Sequence, residues 1–323
     1  MTTADLIGKI VQLVAGIAVF AAVVGLILFF IDRAPKRGRD VLQLLAFLLP
    51  ALILLGIGLV YPAIRTAIAA FANSAGEFVG LDNFIWMFTQ PEALITLRNT
   101  IIWVILVPSI STVIGLAYAN FIDKSRGEKI YKSLIFMPFA ISFVGAGIIW
   151  KFVYEFRPAG RDQIGLLNQI VVWFGGEPVL WLQSPPVNTL LLIVVMIWVQ
   201  TGFAVVVLSA AIKGIPTEQL EAADLDGTNG WQKFTNVTLP GIRGALVVVV
   251  TTISIATLKV FDIVRTMTGG NFETSVVANE MYTQAFRALE PGRGSALALI
   301  LFVLVLPIVI YNVRVLRQQR EIR

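Results

Sequence analysis

The chain has 323 residues, of which 57% are hydrophobic and 14% are charged, and it contains neither histidine nor cysteine. Soluble domains carry about a quarter charged residues, so this composition excludes a water-soluble globular enzyme. The missing residue types also exclude a Ser-His-Asp triad, a histidine-ligated metal, a thiol nucleophile and a disulfide. The sequence therefore predicts an all-α integral membrane protein that crosses the bilayer several times.

About seven uncharged runs are candidate membrane-spanning helices, because about 20 mainly apolar residues cover the hydrocarbon core. A short run, Gly244–Leu258, reaches that length only if Lys259 and Asp262 are included. The first run is too long for a cleaved signal peptide and has no small-residue cleavage site. The other six runs are Ile10–Ile31, Val41–Ile64, Thr100–Ile122, Ser133–Trp150, Val187–Ile212 and Ser295–Val313.

Basic residues concentrate in four segments that alternate along the seven predicted spans. By the positive-inside rule these segments face the cytoplasm, which puts the N-terminus outside and the C-terminus inside. This orientation accounts for the net charge of +5 without a nucleic-acid partner. The segments are 32–40, 123–132, 213–243 and 314–323.

The outer loops predicted by this topology run over residues 71–98, 151–186 and 263–293. They are rich in glycine and in aromatic residues, whose amphipathic rings prefer the membrane–water interface. Within the second loop, Ile164–Phe174 is apolar but too short to span the bilayer. We therefore predict an interfacial helix at Ile164–Phe174.

The cytoplasmic segment 214–244 is too long for a simple connector, and its pattern predicts two short helices. The first begins at Pro216 and Thr217 and ends at Gly227, since glycine adopts the left-handed conformation at little cost. The second presents Trp231, Phe234 and Val237 at three-residue spacing, and we expect it to end at Pro240.

Short motifs in and around this segment resemble the "EAA" loop of permease subunits in binding-protein-dependent ABC importers. Inside the segment they are Glu221-Ala222-Ala223, Asp226-Gly227, Phe234 and Leu239-Pro240, preceded by Ala210-Ala211-Ile212-Lys213-Gly214-Ile215-Pro216. Elsewhere they are Gly80-Leu81-Asp82-Asn83-Phe84, Asn99-Thr100, and Phe261-Asp262 with Thr268-Gly269-Gly270. These landmarks occur in the family's order, and they look most like the carbohydrate-uptake subgroup related to maltose and alpha-glucoside permeases.

Three positions depart from the family's pattern. Thr228 stands where alanine is usual, Gly244 stands where a proline often closes the motif, and Asn271 replaces a proline after Gly270. The last two changes affect the expected loop geometry.

The resemblance implies a core of six transmembrane helices, to which the helix at residues 10–31 is an addition. We accordingly divide the chain into four parts. They are the extra helix with a basic cytoplasmic loop (1–40), the first core helix with an outer loop (41–94), the transmembrane core containing the coupling loop 214–244 (95–313), and a basic cytoplasmic tail (314–323).

In relatives the loop docks on a separate ATPase, and the motif glutamate, here Glu221, pairs with a basic residue of that subunit. The resemblance thus implies these coupling residues: Glu221, Ala222, Ala223, Asp226, Gly227, Phe234, Leu239 and Pro240. The chain has no G-x-x-x-x-G-K-[ST] loop, so ATP and magnesium would bind to the partner ATPase. No catalytic or metal-binding residue is expected in this chain.

The resemblance also implies the partners and the location. A second, homologous permease would complete the pore, two ATP-binding cassette subunits would bind inside, and an extracytoplasmic solute-binding protein would dock outside. The chain would lie in the lipid of a bacterial or archaeal cytoplasmic (inner) membrane.

In maltose-type permeases the helices on either side of the coupling loop contact the sugar. The positions of this chain that match those contacts fall on one helical face before the loop and on one helical face after it. A polar side chain would bond with the hydroxyl groups of a sugar, and an aromatic ring would cover its apolar face. Helix–helix packing is the alternative explanation for the same pattern. The positions are Met196, Val199, Gln200 and Phe203 before the loop, and Ile253, Ala256, Thr257 and Val260 after it.

Lys259 and Asp262 are the two charges that lie close together at membrane depth. In a continuous helix their three-residue spacing brings them onto neighbouring surface. They would then either neutralise each other, with the lysine reaching the interface, or serve in a gate or pore.

Other functions remain alternatives at this level. A permease of the same kind for another solute, such as glycerol phosphate, would carry the same coupling loop. A seven-helix retinal protein would want a lysine on its last helix, whereas Ser295–Val313 has none. A membrane-embedded transferase or protease would need clustered acids or a histidine.

Overall fold

The computed structural model describes residues 3–32, 39–122 and 125–321. These residues form helices and connecting loops, with one isolated antiparallel bridge between Ala72 and Phe78. The basic residues of segment 33–38, together with Lys124 and Arg323, lie outside the described residues. The all-α architecture predicted from composition is confirmed for the part of the chain that is described.

The chain divides into two units, residues 1–66 and 67–323. The first unit contains helices α1 (Thr3–Asp32) and α2 (Arg39–Leu55), a π-helix (Gly56–Val60) and the beginning of α3 (Tyr61–Ala69). The described side chains of its two apolar stretches, Gly8–Leu26 and Phe47–Ala69, are not buried by protein. Such apolar surface is suited to contact with lipid.

The second unit holds thirteen further α-helices. They are α4 (Asp82–Thr89), α5 (Pro91–Ile122), α6 (Glu128–Phe136), α7 (Phe143–Val153), α8 (Leu166–Trp173), α9 (Val187–Lys213), α10 (Thr217–Leu225), α11 (Gly230–Lys233), α12 (Leu239–Gly241), α13 (Arg243–Leu258), α14 (Asp262–Met267), α15 (Val277–Tyr282) and α16 (Pro291–Glu321). Short 3₁₀-helices lie at Met137–Ala140 and Trp181–Gln183, and π-helices lie at Phe234–Thr238 and Thr283–Arg287. The helix expected at Ile164–Phe174 is present as α8.

The count of about seven spans agrees with the structure. Five helices are long and apolar enough to cross a membrane, and two bent helix pairs bring the number to as many as seven among the described residues. The run Ser133–Trp150, expected as one span, is instead divided between α6 and α7, whose axes differ by 100°. A 3₁₀-helix containing Pro138 and an N-cap at Ser142 separate the two helices, because proline and a capping hydroxyl both interrupt the helical ladder.

Helices α5 and α9 pack together at the centre of the second unit. A Cβ atom on Gly115 of α5 would lie 2.5 Å from Cβ of Ala204 on α9, and one on Gly202 would lie 2.5 Å from the carbonyl oxygen of Ile135. Glycine at positions 115 and 202 thus lets the backbones of α5, α6 and α9 approach closely, as is usual between membrane helices. Trp103 and Val107 from α5 join Leu192 in one buried cluster around this contact.

Buried asparagines organise the segments predicted to lie outside. The side-chain Nδ2 of Asn83 donates to the carbonyl oxygens of Ala70 (3.0 Å) and Ala72 (2.9 Å). The Nδ2 of Asn99 donates in the same way to Glu273 (2.6 Å) and Ser275 (3.0 Å). These bonds fix the loops on the helix ends, since buried polar groups are held in place by the hydrogen bonds they need.

Candidate functional site

The first helix of segment 214–244 is α10, which begins at Thr217 as expected. It ends in a Schellman motif: the Gly227 N–H donates to the carbonyl oxygen of Asp224 (3.1 Å), and the Thr228 N–H donates to that of Ala223 (3.2 Å). Gly227 has a φ of 72°, which explains why a glycine stands there. The predicted turn at Gly227 is confirmed.

Thr228, where the family usually has alanine, has a structural role of its own. Its Oγ1 donates to the carbonyl oxygen of Ala223 at 2.7 Å, in addition to the backbone bond. The hydroxyl therefore gives this carbonyl at the helix end a second hydrogen bond. The departure from the family's pattern at this position leaves the turn intact.

The second helix begins with a capping box and runs further than expected. Asn229 accepts from the Gln232 N–H at 2.9 Å, and the Gln232 side chain accepts from the Asn229 N–H at 2.9 Å. The prediction that Pro240 ends this helix is wrong, because α12 continues through Pro240 to Gly241. The π-helix Phe234–Thr238 comes directly before this segment and has a wider turn than an α-helix. Pro240 has no N–H to donate, so the wider turn lies next to the residue that cannot form the usual helical hydrogen bond.

Side-chain contacts join the two short helices into one element. Lys233 forms an ion pair with Asp224 across the turn. The rings of Trp231 and Phe234 pack with centroids 5.7 Å apart. Residues 217–241 are therefore held as a two-helix knob, which we call the coupling element.

The coupling element presents one exposed face. On α10, Glu218, Glu221, Ala222 and Leu225 are exposed and fall on the same side of the helix, whereas Ala223 is buried on the other side. Of the remaining predicted coupling residues, Asp226, Gly227 and Pro240 are exposed, and Phe234 and Leu239 are half-buried.

Leu225 is a residue that the sequence analysis missed. Its side chain is 89% exposed at the end of α10, next to Glu221 on the helix surface. The available signal was a leucine between two aspartates before a glycine, in a helix that is otherwise polar on that side. Its apolar surface is removed from water when another protein covers this face.

The coupling element is attached to the core of the second unit through three apolar residues. Ile215 and Ile242, which flank the element in sequence, are buried in the cluster that contains Met196 and Ile253, and Leu220 of the element packs against this cluster. The helix axis bends by 68° between Gly230–Gly241 and Arg243–Leu258. The element is thus anchored beside residues of α9 and α13.

Six of the eight predicted substrate-path residues belong to one apolar cluster or pack against it. Met196, Val199, Ile253 and Val260 are buried in the cluster, and Phe203 and Ala256 pack against it. Six of the eight are buried. One of them is Gln200, and the other five are Met196, Val199, Ile253, Thr257 and Val260. The Thr257 hydroxyl donates to the carbonyl oxygen of Ile253 at 2.7 Å, so its bond is made within its own helix. In this conformation these five residues serve as packing.

Gln200 and Phe203 differ from the other path residues. The Gln200 side-chain amide makes no hydrogen bond to any residue that the structure describes, although only 4% of the residue is exposed. Phe203 is half-buried and stacks on Phe139, with centroids 5.5 Å apart and ring planes 24° apart. Gln200 and Phe203 are three residues apart on α9, so their side chains leave the helix on neighbouring parts of its surface.

The predicted helical pairing of Lys259 and Asp262 is wrong. Helix α13 ends at Leu258, and α14 begins at Asp262, so the two charges lie on either side of a break. No ion pair joins them, because the three-residue spacing brings side chains together only in a continuous helix. Among the described residues, no three Asp or Glu side chains are grouped to hold a metal ion.

Comparison with known proteins agrees with this architecture. Residues 111–322 match the family model "Binding-protein-dependent transport system inner membrane component". The chain is 49% identical over 278 residues (86% of this chain, 100% of the relative) to the osmoprotective compounds uptake permease protein GgtC of Synechocystis sp.. It is 45% identical over 327 residues (96% of this chain, 97% of the relative) to the alpha-glucoside transport system permease protein AglF of Rhizobium meliloti.

Solved structures with the same fold include a bacterial ABC transporter involved in the import of the acidic polysaccharide alginate. One of its chains matches with a TM-score of 0.74 and 26% identity, covering 88% of this chain and 98% of the other. The alginate transporter in complex with its alginate pentasaccharide-bound periplasmic protein matches with a TM-score of 0.73 and 25% identity, covering 86% and 94%.

The fold and the coupling element define a multi-pass membrane subunit of a transporter. The chain belongs to the family of binding-protein-dependent transport system inner membrane components and is an ABC-importer permease. This result sets aside the retinal protein and the membrane-embedded transferase.

Proposed function

We propose that this chain is the translocation subunit of an ATP-driven importer of carbohydrate, in which the coupling element binds a separate ATPase. The observation that carries the proposal is the exposed α10 face with Glu221 and Leu225, held on a rigid knob whose ends are buried beside α9 and α13. Such a knob transmits a displacement of the ATPase to the helices that would line the path.

The α10 face fits a cleft that is basic at one point and apolar at another. Glu221 supplies a charge for a basic residue of the ATPase, and Leu225 supplies apolar surface that is removed from water on binding. ATP and magnesium would bind to that partner. Closure around ATP would then shift the equilibrium between two conformations of the permease, because the nucleotide-bound partner favours one of them.

The proposed assembly contains a second, homologous permease, two ATPase subunits and an extracytoplasmic solute-binding protein in an inner membrane. The family description and the periplasmic-protein complex of the alginate relative support the presence of a binding protein. One chain of this size supplies about half of a pore, which is why a second permease is proposed.

The proposed substrate class is a neutral oligosaccharide or glucoside. It rests on the names of relatives, which include an alpha-glucoside permease and a permease for osmoprotective compounds. We propose Gln200 and Phe203 as the path residues that contact such a solute. The amide would bond with hydroxyl groups, and the ring would cover a C–H face.

The coupling role is tested by reconstituting the transporter with Leu225→Asp or Glu221→Lys. We expect the ATPase to be lost on co-purification, and substrate-stimulated hydrolysis to fall about tenfold or more, since truncation of an interface hot spot costs about 2 kcal/mol or more and about 1.4 kcal/mol corresponds to a factor of ten. Gln219→Ala is the matched control, because Gln219 is exposed on α10 but lies outside this face. Normal stimulated hydrolysis in both variants would refute the coupling role.

A further inference from the structure

A pocket of about 300 Å³, which we call the outer pocket, lies among segments that are predicted to face the outside. Its walls come from the end of α7 and the residues after it, from the 3₁₀-helix Trp181–Gln183, and from the end of α14 with the loop that follows. Tyr154 and Met267 line the pocket and also belong to the buried cluster that contains Met196 and Val199. The outer pocket therefore adjoins the cluster that holds predicted substrate-path residues.

Buried asparagines hold two of the aromatic residues on the wall of the outer pocket. The indole N–H of Trp181 donates to Oδ1 of Asn168 at 2.9 Å. Asn168 is fully buried, and its Nδ2 donates to the carbonyl oxygen of Glu155, another lining residue, at 2.9 Å. Asn188 is also fully buried, and its Nδ2 donates to the carbonyl oxygen of Phe272 at 2.7 Å. Because these residues are already ordered, little entropy is lost when a ligand covers their rings.

Phe272 has a strained backbone. Its φ is 54° and that of Glu273 is 60°, so two consecutive residues with a Cβ are left-handed. This conformation is unfavourable because the Cβ lies too close to the following carbonyl oxygen. The bond from Asn188, and a bond of 2.6 Å from Nδ2 of Asn99 to the carbonyl oxygen of Glu273, keep the two residues in it. Strain that is enforced in this way is concentrated at binding sites, and here it places Phe272, which is 46% exposed, on the wall of the pocket.

Three polar side chains that line the outer pocket are open to an incoming ligand. They are Lys151, Glu155 and Gln183, and none of these side chains makes a hydrogen bond or ion pair with any residue that the structure describes. Lys151 and Gln183 are exposed, and Glu155 is half-buried. Together they offer both donors and acceptors, and their one cation and one anion leave no net charge.

We propose that the outer pocket binds one neutral sugar ring of the substrate before the substrate enters the path. The inference rests on the proposed function, which supplies carbohydrate as the substrate class. The hydroxyl groups of a sugar both donate and accept, and its C–H faces cover aromatic rings, so the pocket offers partners for both. Its volume lies at the small end of the range for ligand pockets, which suits one ring rather than a long chain. An anionic solute is disfavoured, because Glu155 offsets the charge of Lys151.

The test uses saturation-transfer NMR to measure binding of methyl alpha-glucoside, a single neutral ring, to the complete transporter in nanodiscs without nucleotide or solute-binding protein. Phe272→Asn removes a ring and keeps a residue that tolerates positive φ. Gln183→Ala removes an amide that has no internal hydrogen bond to lose. We expect each variant to raise the Kd about fivefold, the effect of losing one ring contact or one hydrogen bond. Phe174→Asn is the matched control, because Phe174 is 88% exposed in a predicted outer loop and lies outside the pocket.

Several results would overturn the proposal. They are wild-type affinity in both pocket variants, an equal loss in Phe174→Asn, or no saturable binding to the wild type. Competition by glycerol 3-phosphate, but not by a second neutral glucoside, would refute the assignment to a neutral sugar. Loss of binding in Gln200→Ala with Phe203→Ala, together with normal binding in Phe272→Asn, would place the ring in the path instead.

Docking of the solute-binding protein distinguishes a sugar ring from a protein side chain as the occupant. We expect Phe272→Asn to leave the Kd of the sugar-free binding protein for the transporter unchanged, and an equal weakening of that docking would overturn the proposal. If the wild-type complex transports an alpha-glucoside with ATP while both pocket variants bind sugar normally, only the outer pocket is refuted. If the wild-type complex neither assembles with the ATPase nor transports sugar, the proposed function itself fails.

Discussion

Asn83, Asn99 and Thr100 show what the family landmarks in the first predicted outer loop do physically. All three side chains are buried, and the Thr100 hydroxyl accepts a bond from the Val277 N–H at 3.0 Å. Together with the asparagine amides, it attaches distant loop segments to the helix ends. The order of these residues in the sequence identifies them as landmarks, but the partners of Asn99 and Thr100 lie more than 170 residues away and are visible only in the structure.

Gly227 allows a sharp prediction at the residue scale. Its φ of 72° is unfavourable for any residue with a Cβ, by about 1–2 kcal/mol. Gly227→Val is therefore expected to distort the turn between α10 and α11 and to reduce substrate-stimulated ATPase activity of the reconstituted complex. Gly230→Ala is the control, since Gly230 is helical with nothing within 4 Å of its added Cβ. Normal stimulation in Gly227→Val would contradict this role of the turn.

At the scale of elements, residues near a helix end predicted where that helix begins or stops. The bends within apolar runs were not predicted. The start of α10, its glycine stop and the short α8 follow from capping residues and apolar runs in the sequence. The break between α6 and α7 and the break after Leu258 fall inside or at the end of apolar runs, where hydropathy alone shows no interruption. Pro138 and the capping Ser142 mark the first of these breaks, but hydropathy does not register them, so hydropathy alone predicted the wrong geometry there.

The ends of α6 and α9 are joined by charged groups close to the coupling element. Glu128 pairs with Lys132 at 2.7 Å and also with Lys213, the last residue of α9. Glu128 precedes the uncharged run that begins at Ser133, so it lies outside the apolar part of the span. Hydrogen bonds from Lys132 first, and from Lys213 second, lower the pKa of Glu128 from 4.5 to about 2.

This lowered pKa predicts a pH-dependent effect of Glu128→Gln. Because the folded pKa lies below the unfolded one, the stabilisation is complete above about pH 4.5 and is lost as the pH falls toward 2. We expect the variant to melt at a lower temperature than the wild type at pH 7, with a smaller difference at pH 3. Thermal unfolding in detergent measures this, with Glu177→Gln as the control. A difference that does not change with pH would argue against the ion pairs.

At the scale of the whole molecule, the absence of histidine and cysteine from the sequence agrees with membership of a transport family. The sequence predicted the number of spans and the coupling element, because hydropathy and short motifs carry both. It did not predict that most path residues would be buried, since their burial depends on how α9 and α13 meet α5. In the proposed assembly this chain forms the substrate path, and a partner subunit binds and hydrolyses ATP.

The central claim is tested most directly by sugar uptake into proteoliposomes. They would contain this chain, its partner permease and the ATPase, with the solute-binding protein outside, ATP inside and a labelled alpha-glucoside as substrate. The account predicts accumulation that requires ATP and the binding protein, that is competed by related glucosides, and that is lost on deleting residues 217–240. Accumulation without ATP, or accumulation that survives the deletion, would contradict it.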